Sequence, residues 1–65
     1  SRLSKENKVE FSEVSRMLDA RKRRLQRFES SCNKAEGILR ICERIRIEID
    51  TLETREVELY LMIEA

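Results

Sequence analysis

The two cysteines, Cys32 and Cys42, are the side chains of this sequence best suited to chemistry. A thiolate can act as a nucleophile or bind a soft metal ion. A cysteine nucleophile is activated by a neighbouring base such as histidine, and the 65 residues include no histidine. Two cysteines alone cannot supply the four ligands of a structural zinc site. We therefore expect no metal site and no cofactor, and we interpret both cysteines as small apolar packing residues.

The acidic side chains do not predict a catalytic site either. The chain has 13 Asp and Glu residues, but they are spread along it instead of being gathered where burial could tune a general acid. It has one glycine, so it contains no glycine-rich loop for phosphate groups. We expect a protein that is not an enzyme and has no catalytic residues.

The strongest pattern in the chain is an apolar line at alternating spacings of three and four residues, which is typical of a coiled-coil seam. The chain has no proline, so nothing in its composition forces a helix to stop. A chain of this length in one or two helices cannot enclose a core, so another helix must cover the line. In this first register the seam consists of Phe11, Val14, Leu18, Arg21, Leu25, Phe28, Cys32, Ala35, Leu39 and Cys42.

Charge is distributed unevenly along the chain. Residues 1–35 hold ten basic and five acidic side chains, whereas residues 36–65 hold four basic and eight acidic ones. A parallel pair of chains would place each half beside its like-charged copy, and an antiparallel pair places the basic half along the acidic half. The charge distribution therefore favours antiparallel packing.

The seam residues favour the same direction. Continued past Cys42, the first register places Arg46, Ile49, Glu53, Glu56, Tyr60 and Ile63 on the seam. A parallel dimer would bury like charges against each other there. Reversing one chain about Gly37 instead brings Arg21 to Glu53, and Arg46 to the ring of Phe28. We therefore predict an all-α fold in which one long helix forms an antiparallel two-helix coiled coil, as a homodimer.

A second register is equally regular in the carboxy-terminal half. It differs from the first by a three-residue slip near residues 35–42, which would locally overwind a continuous coiled coil. The apolar face there is also wide enough for a further helix or partner. The second register consists of Ile38, Cys42, Ile45, Ile49, Leu52, Glu56, Leu59 and Ile63.

Two other architectures remain open. A helical hairpin that assembles into a bundle is possible because Ser30 and Ser31 are poor helix formers, Gly37 could lie in a turn, and Asn33 to Glu36 resembles a helix-start capping box. A hairpin is less favoured because Cys32 and Ala35 continue the seam spacing through the segment that would form the loop, and a loop has no reason to keep that spacing. A parallel coiled-coil dimer is the other alternative.

Combining the two registers, we expect the dimer interface to contain Phe11, Val14, Leu18, Arg21, Leu25, Phe28, Cys32, Ala35, Leu39, Cys42, Ile45, Arg46, Ile49, Leu52, Glu53, Leu59, Tyr60 and Ile63. A possible basic contact patch contains Arg16, Lys22, Arg23, Arg24 and Arg27. The patch could bind an acidic filament or nucleic acid. Nucleic acid is the less favoured partner, because the seam runs through the cluster instead of following it.

The function that this pattern favours is association. We interpret residues 1–65 as one coiled-coil segment, a fragment of a larger protein because residue 1 is serine. Its expected role is oligomerisation or scaffolding in an intracellular structural, cytoskeletal, motor or trafficking protein. The alternatives are one helix of a hetero-oligomeric complex and the basic-surface binder. Two cysteines without a disulfide framework favour the cytoplasm, and no apolar run is long enough for a membrane span. The partner we expect is a second copy, or else another helical protein.

Overall fold

The chain folds into two α-helices, α1 (Arg2–Glu29) and α2 (Glu36–Glu64), which pack against each other in a computed structural model. The structure describes residues 2–31 and 35–65, and the side chains from residue 4 onward within those ranges. No strand occurs in the described residues. The predicted all-α class is confirmed.

The two helices form an antiparallel hairpin, which corrects the preferred prediction of one continuous helix. The hairpin is 49 Å long, about half of the roughly 90 Å that 60 helical residues would span at 1.5 Å each. The slip between the two registers explains the break. Ten residues at about 100° each separate Phe28 from Ile38, so an unbroken helix would rotate the seam by about 80° at this point. A reversal of the chain removes that conflict.

The N-cap position of α2 is Ala35, with φ −57° and ψ 150° and no side-chain capping hydrogen bond. The predicted capping box placed the N-cap at Asn33, which lies outside the described residues. Glu36 is therefore the first helical residue instead of the third, and Gly37 lies in the first turn of α2 with a negative φ. A Cβ at Gly37 would meet no atom within 4 Å. Gly37 is therefore a helical residue, and the suggestion that it lies in the turn between the two helices is wrong.

Each helix turns one apolar line toward the other. On α1 the inward line follows the first register. The six residues of that register from Phe11 to Phe28 are all buried or half-buried. On α2 the inward line follows the second register, and each of its eight positions from Ile38 to Ile63 is buried or half-buried. The slip therefore coincides with the connection between the helices, where each helix can take its own phase.

The core of the described chain is small. Its most deeply buried members are Leu59 and Ile45, which are 0% and 1% exposed. Burial of a Leu or Ile side chain contributes about 1.5 to 3 kcal/mol before the loss of conformational entropy is subtracted. The buried side chains are Val14, Leu18, Cys42, Ile45 and Leu59. This set is contributed by both helices, so neither helix has a core without the other.

Candidate interaction surfaces

The predicted interface residues of the first helix all lie at the contact between α1 and α2. Val14 and Leu18 are buried, and the others on this helix are half-buried. The partner that covers them is therefore the same chain, where the sequence pattern predicted a second copy. The half-buried residues are Phe11, Arg21, Leu25 and Phe28.

The predicted interface residues of the second helix divide according to register. Cys42, Ile45 and Leu59 are buried, and Ile49, Leu52 and Ile63 are half-buried. Positions that belong only to the first register are exposed. The exposed positions are Ala35, Leu39, Arg46, Glu53 and Tyr60, and Cys32 lies outside the described residues.

Ion pairs across the hairpin replace the charge pairs predicted about Gly37. The Arg21 Nε donates to Glu48 Oε2 at 2.8 Å, and Glu53 lies 3.7 Å from the Nζ of Lys22 instead. Glu48 was absent from the predicted site. Its position, one residue from the seam residue Ile49, could have indicated it once the second register was chosen.

The predicted contact between Arg46 and Phe28 is also replaced. The Arg46 Nη2 donates to Glu29 Oε2 at 2.7 Å, and this hydrogen bond raises the pKa of Arg46. The ring of Phe28 is approached by Arg24 instead, whose guanidinium carbon lies 5.8 Å from the ring centroid. Both interactions keep a cation in place near the end where the helices connect.

A second group of polar contacts that sequence analysis missed joins the helices near the termini. Arg55 donates from Nε and Nη2 to the two carboxylate oxygens of Glu10, at 2.8 Å and 3.0 Å. These hydrogen bonds lower the pKa of Glu10 and raise that of Arg55. The Ser15 hydroxyl donates to Glu56 Oε2 at 2.7 Å, which gives the carboxylate on the inward line of α2 a partner. Polar groups therefore help to align the helices at this end as well.

Of the two cysteines, Cys42 lies within the described residues. Cys42 is a free, buried thiol that packs at the contact between the helices. No group of three or more Cys, Asp or Glu side chains in the described ranges could hold a metal ion. The exposed large apolar side chains of these ranges lie on the outer surfaces of the helices.

The residues of the predicted basic patch do not share one environment: two contact other side chains of the hairpin, and three lie on the side of α1 away from α2. Lys22 is paired with Glu53, and Arg24 lies against Phe28. The other three, Arg16, Arg23 and Arg27, are exposed and form no ion pair with a described residue. Their spacings of seven and four residues place them on one side of the helix, directed away from α2.

We define the α1 outer face as the row of exposed residues that contains these three arginines. The row has spacings of three and four residues, and at about 100° per residue it lies opposite the inward line. Its members are Lys5, Val9, Ser12, Arg16, Ala20, Arg23 and Arg27. The face is basic and has only one large apolar side chain.

We define the α2 outer face as a row of exposed residues, also at spacings of three and four, on the side of α2 that is turned away from α1. Four of its members are large apolar side chains, with exposures of 52% for Leu39, 63% for Ile47, 57% for Val57 and 62% for Leu61. The complete row is Leu39, Glu43, Ile47, Asp50, Thr54, Val57 and Leu61. Apolar side chains repeated along one helix face in this way are typical of a surface that binds another protein.

Comparison of the chain with protein-family models, with curated proteins and with solved structures finds no match. Within the described ranges, neither α1 nor α2 contains a stretch sufficiently long and apolar to cross a lipid bilayer.

Proposed function

We propose that this chain is a non-catalytic association module, a helical hairpin that binds a second copy of itself. The observation that carries the proposal is the α2 outer face. The four large apolar side chains on it are at least half exposed, while the described core contains five buried residues. A hairpin with so small a core gains stability when a further helix covers such a face.

Charge supports a second copy as the occupant of this face. The polar members of the α2 outer face include two acids, Glu43 and Asp50, and neither forms an ion pair with a described residue. The α1 outer face carries Arg16, Arg23 and Arg27, which form no ion pair within the described part of the chain. One chain therefore presents two outer faces of opposite charge, which can meet only between copies.

The cellular role that fits such a module is oligomerisation or scaffolding within a larger cytoplasmic protein of the structural, cytoskeletal, motor or trafficking kind. Two features support this proposal. The sequence has two cysteines and lacks the disulfide-rich pattern of small secreted domains. The surfaces described above offer helix faces for packing, and one of them carries four large apolar side chains that are at least half exposed.

The test measures the molar mass of the wild-type chain by light scattering and sedimentation, from micromolar to millimolar concentration and under reducing conditions. We expect the mass to rise above that of one chain. Replacing Ile47 by lysine should keep the helical circular dichroism and shift the chain toward the monomer, because it places a positive charge at the centre of the α2 outer face, where the basic α1 outer face would repel it.

Met62→Lys is the matched control. Met62 is another exposed apolar residue of α2, 44% exposed, but it lies off the α2 outer face. The control adds the same charge to the same helix, so it should leave the mass unchanged. A wild-type chain that remains a monomer at every concentration would contradict the proposal.

A further inference from the structure

We infer that copies associate head to tail, with the α1 outer face of one chain against the α2 outer face of the next. This inference rests on the proposed function and specifies the surface and the partner. The two faces lie on opposite sides of a packed pair of helices, so one hairpin cannot bring its own faces together. Each copy therefore binds one neighbour through its α1 outer face and another through its α2 outer face.

An antiparallel alignment matches the two faces along their whole length. It places Arg16 opposite Asp50 and Arg23 opposite Glu43. Between these two charge pairs, the small Ala20 faces Ile47. Where two charged residues of these faces lie opposite each other in this alignment, their charges have opposite signs.

Toward the termini the same alignment continues with matching chemistry. Val9 faces Val57, and Ser12 faces Thr54. At the two ends, Lys5 and Arg27 can lay their aliphatic stems over Leu61 and Leu39 while their charged groups stay in water. All four large apolar residues of the α2 outer face are then covered, at least in part.

A parallel alignment of the same faces is less complete. Shifted so that Arg16 faces Glu43 and Arg23 faces Asp50, it also forms two charge pairs. It leaves Val57 and Leu61 beyond the end of α1 and gives them no partner. The antiparallel arrangement therefore covers more apolar surface with the same number of charge pairs.

A contact between two different faces does not close on itself as a two-fold dimer does. Each added copy leaves one face of each kind free, so association continues beyond two chains unless the row curves into a ring. The assembly that we infer is a row of antiparallel helices in which contacts within and between chains alternate.

Complementary charge reversal tests this contact. Arg16→Glu/Arg23→Glu places carboxylates where this contact has arginines opposite Asp50 and Glu43, and Glu43→Arg/Asp50→Arg places guanidinium groups opposite those arginines. Each double variant alone should have its association constant lowered by about tenfold or more, because like charges now meet. An equimolar mixture should recover association, because the two introduced carboxylates of one variant lie opposite the two introduced guanidinium groups of the other.

Lys8→Glu/Arg44→Glu is the control for net charge. It makes the same change in charge as Arg16→Glu/Arg23→Glu, at exposed positions off both outer faces. We expect it to associate as the wild type does. Circular dichroism of every variant checks that the hairpin is intact.

Disulfide trapping tests the direction of the contact. Ser12→Cys and Thr54→Cys, placed in separate chains that also carry Cys32→Ser, should crosslink after mixing and mild oxidation. The parallel alignment places Ser12 opposite Leu39, so failure of this crosslink together with capture of Leu39→Cys by Ser12→Cys would overturn the antiparallel contact.

The remaining outcomes separate the inference from the proposed function. If the wild type associates but stops at a dimer and tolerates Arg16→Glu/Arg23→Glu, the chain is an association module and the head-to-tail contact is wrong. If the wild type stays monomeric, both fail. In that case a labelled single-stranded oligonucleotide that binds the wild type but not Arg16→Glu/Arg23→Glu would assign the α1 outer face to a polyanion.

Discussion

Leu59 and Leu61 show how sharply the environment changes between neighbouring positions of α2. Leu59 is fully buried at the contact with α1, whereas Leu61 is 62% exposed on the α2 outer face. The two side chains have the same size and the same helix propensity, and they lie two residues apart. A difference between their alanine variants therefore reports the packing of the hairpin.

We expect Leu59→Ala to destabilise the hairpin by about 2 to 5 kcal/mol, because it removes buried methyl groups and leaves a cavity. That loss is comparable to the whole stability of so small a core, so much of the helical signal should disappear. The measurement is urea unfolding followed by circular dichroism, at a concentration where the wild type is monomeric.

Leu61→Ala is the matched control for this prediction. Under the same conditions it should change the unfolding free energy by less than about 0.5 kcal/mol, as surface substitutions usually do. If the two variants lost equal stability, the inward line of α2 would not be the second register.

At the scale of the helices, ion pairs on both sides of the apolar contact determine how α1 and α2 align. Arg21 with Glu48 and Glu10 with Arg55 lie along the contact, as do Lys22 with Glu53 and Glu29 with Arg46. A shift of one helix by one turn would separate all of them. Single pairs of this kind are weak, but together they select one alignment.

We expect Arg21→Glu to destabilise the hairpin and Glu48→Arg to restore part of the loss when the two are combined. The coupling energy should be about 0.5 to 1 kcal/mol, because both side chains are only partly buried and the pair is screened by solvent. Thermal or urea unfolding of the four members of the double-mutant cycle measures it, and added salt should reduce it.

The same cycle with Glu53→Arg is the control. Glu53 was the partner that the first register predicted for Arg21, but in the structure it lies beside Lys22. The coupling energy between Arg21 and Glu53 should be close to zero. A larger coupling with Glu53 than with Glu48 would favour the alignment about Gly37.

The helices themselves could be predicted from the sequence, since the three-and-four spacing is present in both halves. Both inward lines were predicted too, because the two registers are the lines of α1 and α2. The break between them was harder to predict. Cys32 and Ala35 carry the apolar pattern through the connection, and a short apolar residue at the right spacing does not show whether it is helical.

The choice between one chain and two could not be predicted from periodicity. An antiparallel seam has the same pattern of side chains whether its helices belong to one chain or to two copies. What separates these cases is the conformational cost of the connection, which the seam does not encode. The predicted interface also combined residues of both registers. Leu39 and Tyr60, which belong only to the first register, are exposed.

At the scale of the whole molecule, the hairpin and an extended dimer share their contacts. If two chains straightened and exchanged α2, each α1 could pack against the partner's α2 with the same ion pairs. The three-residue slip opposes this exchange, because a continuous helix would twist the inward line by about 80° between Phe28 and Ile38. We therefore expect the closed hairpin to remain the unit from which larger assemblies form.

Energy transfer between dyes at Lys8→Cys and Glu64→Cys, with Cys32→Ser, tests this expectation. In the hairpin both positions lie near the same end, on helices whose axes are about 8 to 10 Å apart, so transfer should be efficient. In an extended chain the same positions would be roughly 84 Å apart. A large excess of unlabelled protein removes transfer between copies, so we expect the signal to persist on such dilution and after dissociation by Ile47→Lys. Loss of transfer on mixing with unlabelled chains would show that the helices exchange, and the outer faces would then not be needed to explain association.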